Sequence, residues 1–290
     1  MRIAVFGNEF QTKKNAYINQ VLEQLESLGA DVCVERAFAR FLHDEFAIAA
    51  DRLAPFDASN LAADLVVSVG GDGTFLTTAS HVGGRGIPIL GVNTGHLGYL
   101  ADVAPQEIEA ALAAVVRGDY DVEQRAVIEV AKDGEPLRGC PFALNEVALL
   151  KHDNSSLIEI EVHVGDAFLN NYLADGLIVC TPTGSTGYSL SVGGPVLVPQ
   201  SGTFCIAPVA SHSLTTRPVV LRDDAQIRLR VRSRSHNFLI AVDGRSESFP
   251  EDTTISLRRA AHTIGVVKVM HRDYFDTLRE KLMWGADRRK

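Results

Sequence analysis

Leu65-Val66-Val67-Ser68-Val69 runs without a break into Gly70-Gly71-Asp72-Gly73-Thr74, and this junction constrains the fold more than any other stretch of the chain. A β-branched run that ends in glycines reads as a buried strand. The residues from about Phe75 onward suit a helix, so the junction reads as strand, turn, helix. In open α/β sheets, ligands sit at the carboxyl ends of the strands. Three glycines let a backbone approach a phosphate or a ribose with no Cβ in the way. A helix N-terminus behind them adds unpaired N–H groups and a partial positive charge. Asp72 in that position can accept a proton from a hydroxyl nucleophile, hold a metal, or cap the helix. The turn is neither of the common nucleotide fingerprints: the chain has no GxxxxGK[ST], and Leu76 stands where GxGxxG needs its last glycine.

The flanking pattern predicts the same architecture. Arg2–Phe6, Asp31–Glu35 and Ile87–Val92 read as strands, and Ala16–Leu28 and Pro105–Val116 as helices. Phe41–Ala54 fits neither period cleanly, a helix being the nearer. Strands that alternate with helices imply a mostly parallel sheet. Near Tyr120 the texture changes. Val127–Val130, Ala143–Leu150, Leu157–Val164, Ala167–Leu173, Leu177–Cys180, Gln226–Val231, Phe238–Val242 and Thr253–Leu257 read as short strands. Lys132-Asp133-Gly134 and Val164-Gly165-Asp166 suit hairpin turns. The expected fold is therefore α/β plus all-β: an N-terminal Rossmann-like domain over 1–120 and a C-terminal β-sandwich-like domain over 121–265. Tyr274–Met283 returns to a helical pattern within a final segment, 266–290.

The formal net charge of −8 argues against a nucleic-acid partner, which calls for a basic face. It also means that an anionic substrate needs a local positive site or a metal. The four cysteines, Cys33, Cys140, Cys180 and Cys205, include no CxxC pair and read as buried free thiols. The opening MRIAVFGNEF is no signal peptide, and no apolar run approaches the roughly 18 residues of a membrane span. A cytoplasmic protein without a membrane partner is expected.

Two further motifs are rich in ligand-binding chemistry. Asn145-Glu146 interrupts the apolar run Ala143–Leu149. A buried polar pair must be satisfied, by neighbouring backbone or by a ligand such as a ribose. Asp175–Pro195 begins with an acidic turn, passes through a buried strand, and opens into a loop of glycines and hydroxyls: Thr181, Thr183, Gly184, Ser185, Thr186, Gly187, Ser189 and Ser191, with Tyr188 able to stack on a flat ring. Gly91–Leu100 is another glycine-rich turn after a strand. His96 within it reads as structural. His212 and Arg217 are candidates to support the site or an anion, Asp243-Gly244 reads as a turn, and Arg228, Arg230, Arg232 and Arg234 alternate on one solvated strand face.

Together, Gly70–Thr74, Gly91–Leu100, Asn145–Glu146, Asp175–Pro195 and Asp273–Leu278 closely resemble the NAD kinase family, from about residue 60 onward. Gly187 departs from the alanine the family often carries. GGDGT alone is shared with lipid kinases and phosphofructokinases, and the Asp175–Pro195 segment is what makes the resemblance specific. It implies ATP- and Mg²⁺-dependent phosphorylation of the 2′-hydroxyl of the adenosine ribose of NAD, with NAD bound between the domains. The final segment is expected to return to the first domain. A homodimer or homotetramer is expected, in which a neighbouring subunit helps complete the site. By motif position Asp72 is the expected catalytic base. Gly70, Gly71, Gly73 and Thr74 would face phosphate. Asp72, Gly73, Asn145, Glu146, Asp175, Thr183, Thr186, Gly187, Tyr188 and Ser191 would contact NAD, with Tyr99 and Leu100 near an adenine and Asp243 a further candidate. The metal ligands are unassigned. Two other readings of the GGDGT turn are a non-catalytic NAD(P)-binding regulator and a lipid kinase.

Overall fold

The computed structural model describes residues 1–9, 15–48, 50–95, 98–139, 141–153, 156–269 and 273–283. It contains two compact units, Met1–Gln124 together with Ile264–Lys290, and Arg125–Thr263.

The first unit is built on a seven-stranded sheet among the described residues. Its order is Pro55–Phe56, Asp31–Glu35, Arg2–Gly7, Leu65–Gly70, Ile89–Asn93, Ile264–Lys268 and Asp121–Arg125. The pairings from Pro55–Phe56 to Ile264–Lys268 are parallel. Leu65–Gly70 lies at the centre and every residue in it is buried, which is why its sequence shows no polar alternation. Helices Asn15–Ser27, Arg36–Phe46, Asp72–Val82 and Ile108–Arg117 connect the strands. The ambiguous Phe41–Ala54 stretch is helical on both sides of residue 49, as Arg36–Phe46 and Ala50–Leu53. The first of these ends on Ala47 in the left-handed region, a stop the sequence did not advertise with a glycine. Ile108–Arg117 ends on Gly118 at φ 78°, as the sequence predicts.

The second unit is a β-sandwich. One antiparallel sheet runs Val219–Arg222, Thr203–Val209, Gly176–Cys180, Glu146–Lys151, Asn237–Val242, Arg245–Pro250. The other runs Ala167–Ala174, Ile158–Val164, Ile227–Arg232, Thr254–Arg259, Ile128–Lys132, Glu135–Pro136, with Phe142–Ala143 beside Ile128–Lys132. Val147, Leu149, Leu177, Val179, Phe204 and Ile206 of the first sheet share one core with Ile160, Val162, Leu229 and Ile255 of the second. The first sheet is also covered on its other side. Ala148, Ile178, Cys180, Cys205 and Ala207 pack under Val192 and Leu197 of the Asp175–Pro195 motif and its continuation. Burial on both faces accounts for the unbroken Leu177–Cys180 run. Cys180 and Cys205 are buried free thiols directly opposite each other. Cys33 is also buried and free, and Cys140 lies outside the described residues.

Two sequence expectations need correction. The Asn145–Glu146 pair is not embedded in one strand: pairing breaks after Ala143 and resumes at Glu146. The arginine row is shorter than its spacing suggests, because the strand ends at Arg232 and Arg234 lies in the turn beyond. Arg228, Arg230 and Arg232 are exposed on one face, as expected.

Candidate active-site residues

In the first unit the Gly70–Thr74 motif does not precede the helix, as its sequence suggested, but enters it. Asp72 is the first residue of Asp72–Val82, and Gly71 caps it without any side-chain hydrogen bond. The free N–H groups of this first turn are the kind that anions satisfy. A Cβ at Gly71 or Gly73 would meet no atom within 4 Å, and neither residue has a positive φ. Neither backbone strain nor internal packing demands glycine there, so these two positions keep space open. Gly73, Thr74 and Thr77 line a cavity of about 320 Å³ with Gly7, Asn8 and Glu9 from the end of the neighbouring strand Arg2–Gly7. Asn8 and Glu9 belong to no motif of their own; the parallel pairing of Arg2–Gly7 with Leu65–Gly70 places them.

Asp72 turns its carboxylate to the following glycine-rich turn. Oδ2 accepts the Tyr99 N–H at 2.9 Å, and Oδ1 accepts those of Leu100 and Ala101, both at 3.0 Å. Gly98 is essential to this contact, since a Cβ there would lie 2.0 Å from Asp72 Oδ1. The turn is braced further by the Asn93 side chain, which donates to the Ala101 carbonyl at 3.2 Å. The Tyr99 hydroxyl is buried without a hydrogen-bond partner. Burial, and secondarily the charge of Asp72, push its pKa up. Leu100 is buried, at 2% exposure. His96 lies outside the described residues.

In the second unit the other motifs converge at one end of the Glu146–Lys151 strand. Asp243, at the turn after Asn237–Val242, accepts backbone N–H groups from Leu144, Asn145 and Glu146 at 2.7, 2.9 and 3.0 Å. The Asp243-Gly244 pair is a turn, with φ of 46° and 81°, and its acid also fixes the Asn145–Glu146 loop. Thr181 secures the loop from the opposite side: its hydroxyl donates to the Leu144 carbonyl at 2.6 Å, and its N–H to the Asn145 carbonyl at 2.9 Å. With the loop backbone so held, Asn145 Oδ1 and Glu146 Oε2 are buried without a partner. Burial, then the nearby Asp243 charge, push the Glu146 pKa up to about 7, against a lowering by the Tyr188 N–H that it accepts.

Thr183–Thr186 forms a 3₁₀ turn and Tyr188–Ser191 one helical turn, where the sequence suggested an open loop. Gly184 permits this, because a Cβ would sit 2.2 Å from the Asn145 carbonyl oxygen. Gly187 is looser: a Cβ would lie 3.1 Å from Glu146 Oε2 and 3.5 Å from Asn145 Nδ2. The hydroxyls divide. Ser185, Thr186 and Ser191 donate to backbone carbonyls three residues back, and Thr181 to Leu144. The oxygens of Thr181 and Ser185 in turn accept the N–H groups of Gly184 and Leu197, at 3.2 and 2.9 Å, whereas those of Thr186 and Ser191 can still accept. Tyr188 is 38% exposed.

Asp175 does not join this group. It pairs with Lys151 at 2.6 Å, at the far end of the same strand from Glu146. At the usual rise of about 3.4 Å per residue, five residues separate the two by about 17 Å. His212 lies on that far side too, its N–H bonded to the Leu173 carbonyl. Arg217 donates to the carbonyls of Leu214 and Thr216.

Known proteins resemble this chain in sequence and in fold. The family model described as the ATP-NAD kinase N-terminal domain matches residues 3–120, and that of the ATP-NAD kinase C-terminal domain matches residues 144–269. An NAD kinase of Bacteroides fragilis is 52% identical over 291 residues, covering 100% of both chains. The crystal structure of an NAD kinase from Archaeoglobus fulgidus in complex with ATP is 26% identical, with a TM-score of 0.78 over 98% of this chain and 99% of that one. Yeast NADH kinase complexed with NADH shares the fold at 21% identity, with a TM-score of 0.89 over 99% of this chain and 88% of that one.

Proposed function

The chain belongs to the NAD kinase family, and on that premise we propose that it transfers the terminal phosphoryl group of ATP to the 2′-hydroxyl of the adenosine ribose of NAD. The observation that carries this reading is the Asp72 carboxylate. A carboxylate has about four acceptor positions; three are taken by the N–H groups of Tyr99, Leu100 and Ala101. The remaining one, on Oδ2, accepts the ribose hydroxyl.

Phosphoryl transfer asks the protein mainly for positioning and charge neutralisation. An ordinary aspartate is a weak base toward a ribose hydroxyl, but in a loose transition state the proton leaves late. Asp72 thus orients the hydroxyl and takes its proton as the new O–P bond forms. Gly70, Gly71, Gly73 and Thr74, with Gly7 and Asn8, bear on phosphate, as the open glycine positions and the uncapped helix support. No group of three or more His, Cys, Asp or Glu side chains suited to a metal occurs among the described residues, which fits a Mg²⁺ ion held mostly by phosphate oxygens and water. When bound, it neutralises triphosphate charge. Asn145 and Glu146, with their unpartnered oxygens, take hydroxyl donors of the dinucleotide, and Thr183, Thr186, Gly187, Tyr188 and Ser191 line it. Tyr99 and Leu100 lie on the adenine side. Asp243 serves indirectly, through the loop it holds. The separation of Asp175 from Glu146 supports a homodimer or homotetramer in which Asp175 reaches the dinucleotide of a second copy.

No helix among the described residues is long and apolar enough to cross a membrane; the net charge of −8 weighs against a nucleic-acid partner, and the proposed enzyme is cytoplasmic. A lipid kinase leaves the unpartnered oxygens of Asn145 and Glu146 unexplained, and a non-catalytic NAD(P) binder gives no use to the open acceptor position of Asp72. The test is NADP formation from NAD, ATP and Mg²⁺ by purified protein, with Asp72→Asn beside it. Turnover in the parent protein alone is the expected result; NADP binding without turnover would overturn it in favour of the regulator.

A further inference from the structure

The segment that returns to the first unit carries two lysines to the turn that holds Asp72. Strand Ile264–Lys268 joins the sheet beside Ile89–Asn93, and its last residue, Lys268, forms a buried ion pair with Asp102. Helix Tyr274–Leu282 follows. A capping box between Asp273 and Asp276 fixes its start, and Thr277 and Leu278 are buried, at 4% and 3% exposure. Its final turn brings Lys281 Nζ to 5.4 Å from the centroid of the Tyr99 ring. Lys281 has no ion pair among the described residues.

A half-buried lysine normally reaches a carboxylate or solvent. Here the cation faces an aromatic ring whose own N–H is bonded to Asp72 Oδ2. The three N–H donors at residues 99–101 are therefore flanked by a cation at each end, Lys281 at Tyr99 and Lys268 at Asp102. The Tyr99 hydroxyl has no hydrogen-bond partner, so the ring is fixed by packing and by this cation.

We propose that Lys281 is a positioning residue for phosphoryl transfer: it holds the Tyr99 ring, and through the Tyr99 N–H fixes the Asp72 carboxylate. This rests on Asp72 being the base. The role is separate from that of Lys268, whose removal would break the buried ion pair with Asp102 and would test folding before it tested catalysis. A cation–π contact acts on where the ring sits, so its loss frees the 98–102 turn to leave Asp72. Since that geometry is needed when the proton moves, and the Tyr99 ring also lies on the adenine side, kcat should fall by a larger factor than KM for NAD rises, with KM for ATP unchanged.

The experiment uses the full-length protein as Lys281→Met and Lys281→Arg, each also in a Tyr99→Leu background. In the absence of substrates, amide hydrogen exchange of the peptide spanning residues 98–102 should quicken in Lys281→Met and stay near the parent rate in Lys281→Arg, which keeps a cation over the ring. In turnover, Lys281→Met should lose about 3- to 30-fold in kcat, the range set by typical cation–π contacts. Lys281→Arg should recover most of it. In the Tyr99→Leu background Lys281→Met should cost nothing more, the signature of coupling. Unchanged exchange in Lys281→Met, or equal losses with and without the Tyr99 ring, would overturn the proposal. A parent protein that makes no NADP would instead defeat the role of Asp72, while the exchange result would still decide whether Lys281 holds the turn.

Discussion

Asp72 and Asp243 are counterparts in the two units. Each carboxylate accepts three consecutive backbone N–H groups, those of residues 99–101 and 144–146 respectively, from a loop distant in sequence. Residues 99–101, 144 and 145 lie outside every helix and sheet ladder, and Glu146 only begins one, so a side chain performs the satisfaction that secondary structure usually provides. By the same count each keeps a fourth acceptor position; we assign that of Asp72 to the ribose hydroxyl, whereas the loop held by Asp243 presents the unpartnered oxygens of Asn145 and Glu146.

Asp72→Asn should lower kcat by about 10²- to 10⁴-fold while NAD binding persists. It should also cost stability, because the amide nitrogen would face one of the backbone donors the carboxylate now accepts, a penalty of about 1–3 kcal/mol. Steady-state kinetics, NAD titration and thermal unfolding test this together, and near-normal turnover would remove Asp72 from the role of base.

Asp243→Ala leaves three loop N–H groups without their acceptor, so a loss on the order of 3 kcal/mol is expected. KM for NAD should rise while KM for ATP stays put. Equal effects on both substrates would mean that Asp243 supports more than the Asn145–Glu146 loop.

Glu146 has a folded pKa of about 7 against an ordinary 4.5. The raised value means that the folded state binds the extra proton between those limits. Its stabilising contribution is complete below pH 4.5 and is lost as pH rises through 7. Glu146→Gln removes the charge and the dependence with it. At pH 8 the variant should therefore melt higher than the parent, yet bind NAD more weakly. The check is melting temperature against pH in the absence of NAD; parallel curves for the two proteins would contradict the burial of Glu146.

Gly73→Ala meets no atom within 4 Å, and alanine is favoured over glycine in a helix by about 0.5–1 kcal/mol. Stability should hold or rise while kcat/KM for ATP falls by about 10-fold or more, equivalent to about 1.4 kcal/mol of lost binding. Gly184→Ala should do the opposite to the fold, since its Cβ would strike the Asn145 carbonyl at 2.2 Å. Gly187→Ala, at 3.1 Å from its nearest neighbour, should be tolerated.

If Asp175 serves a second copy, mixing Asp72→Asn with Asp175→Ala, each inactive, should restore activity. Random pairing in a two-fold dimer gives about a quarter of parent turnover. Absence of recovery after subunit exchange would confine Asp175 to its own chain.

The sequence carried the fold well where burial dictates composition. Leu65–Gly70 and Leu177–Cys180 are covered on both faces and read as unbroken apolar runs. Strands whose sequence lacks that signature were not legible: Arg245–Pro250 is exposed along most of its length, and Thr203–Val209 contains a proline. Ile264–Lys268 was missed because nothing local tells a strand that it will be inserted between two others. The site motifs were legible as residue types, but their geometry was not. The Asp72 contact to residues 99–101 spans about 28 positions, and that of Asp243 to Asn145 spans 98. The separation of Asp175 from Glu146 follows from antiparallel pairing, which proximity to the glycine-rich segment in sequence conceals.

The placement of Ile264–Lys268 between Ile89–Asn93 and Asp121–Arg125 has a consequence for biosynthesis. The ribosome makes the whole of Arg125–Thr263 before it makes the strand that completes the sheet of the first unit. The sandwich can therefore fold while the α/β sheet still has a gap in it, and the lysines that flank the Asp72 turn, Lys268 and Lys281, emerge only after it. Catalytic competence is then a late event in the life of the nascent chain, withheld until the second unit has already been synthesised.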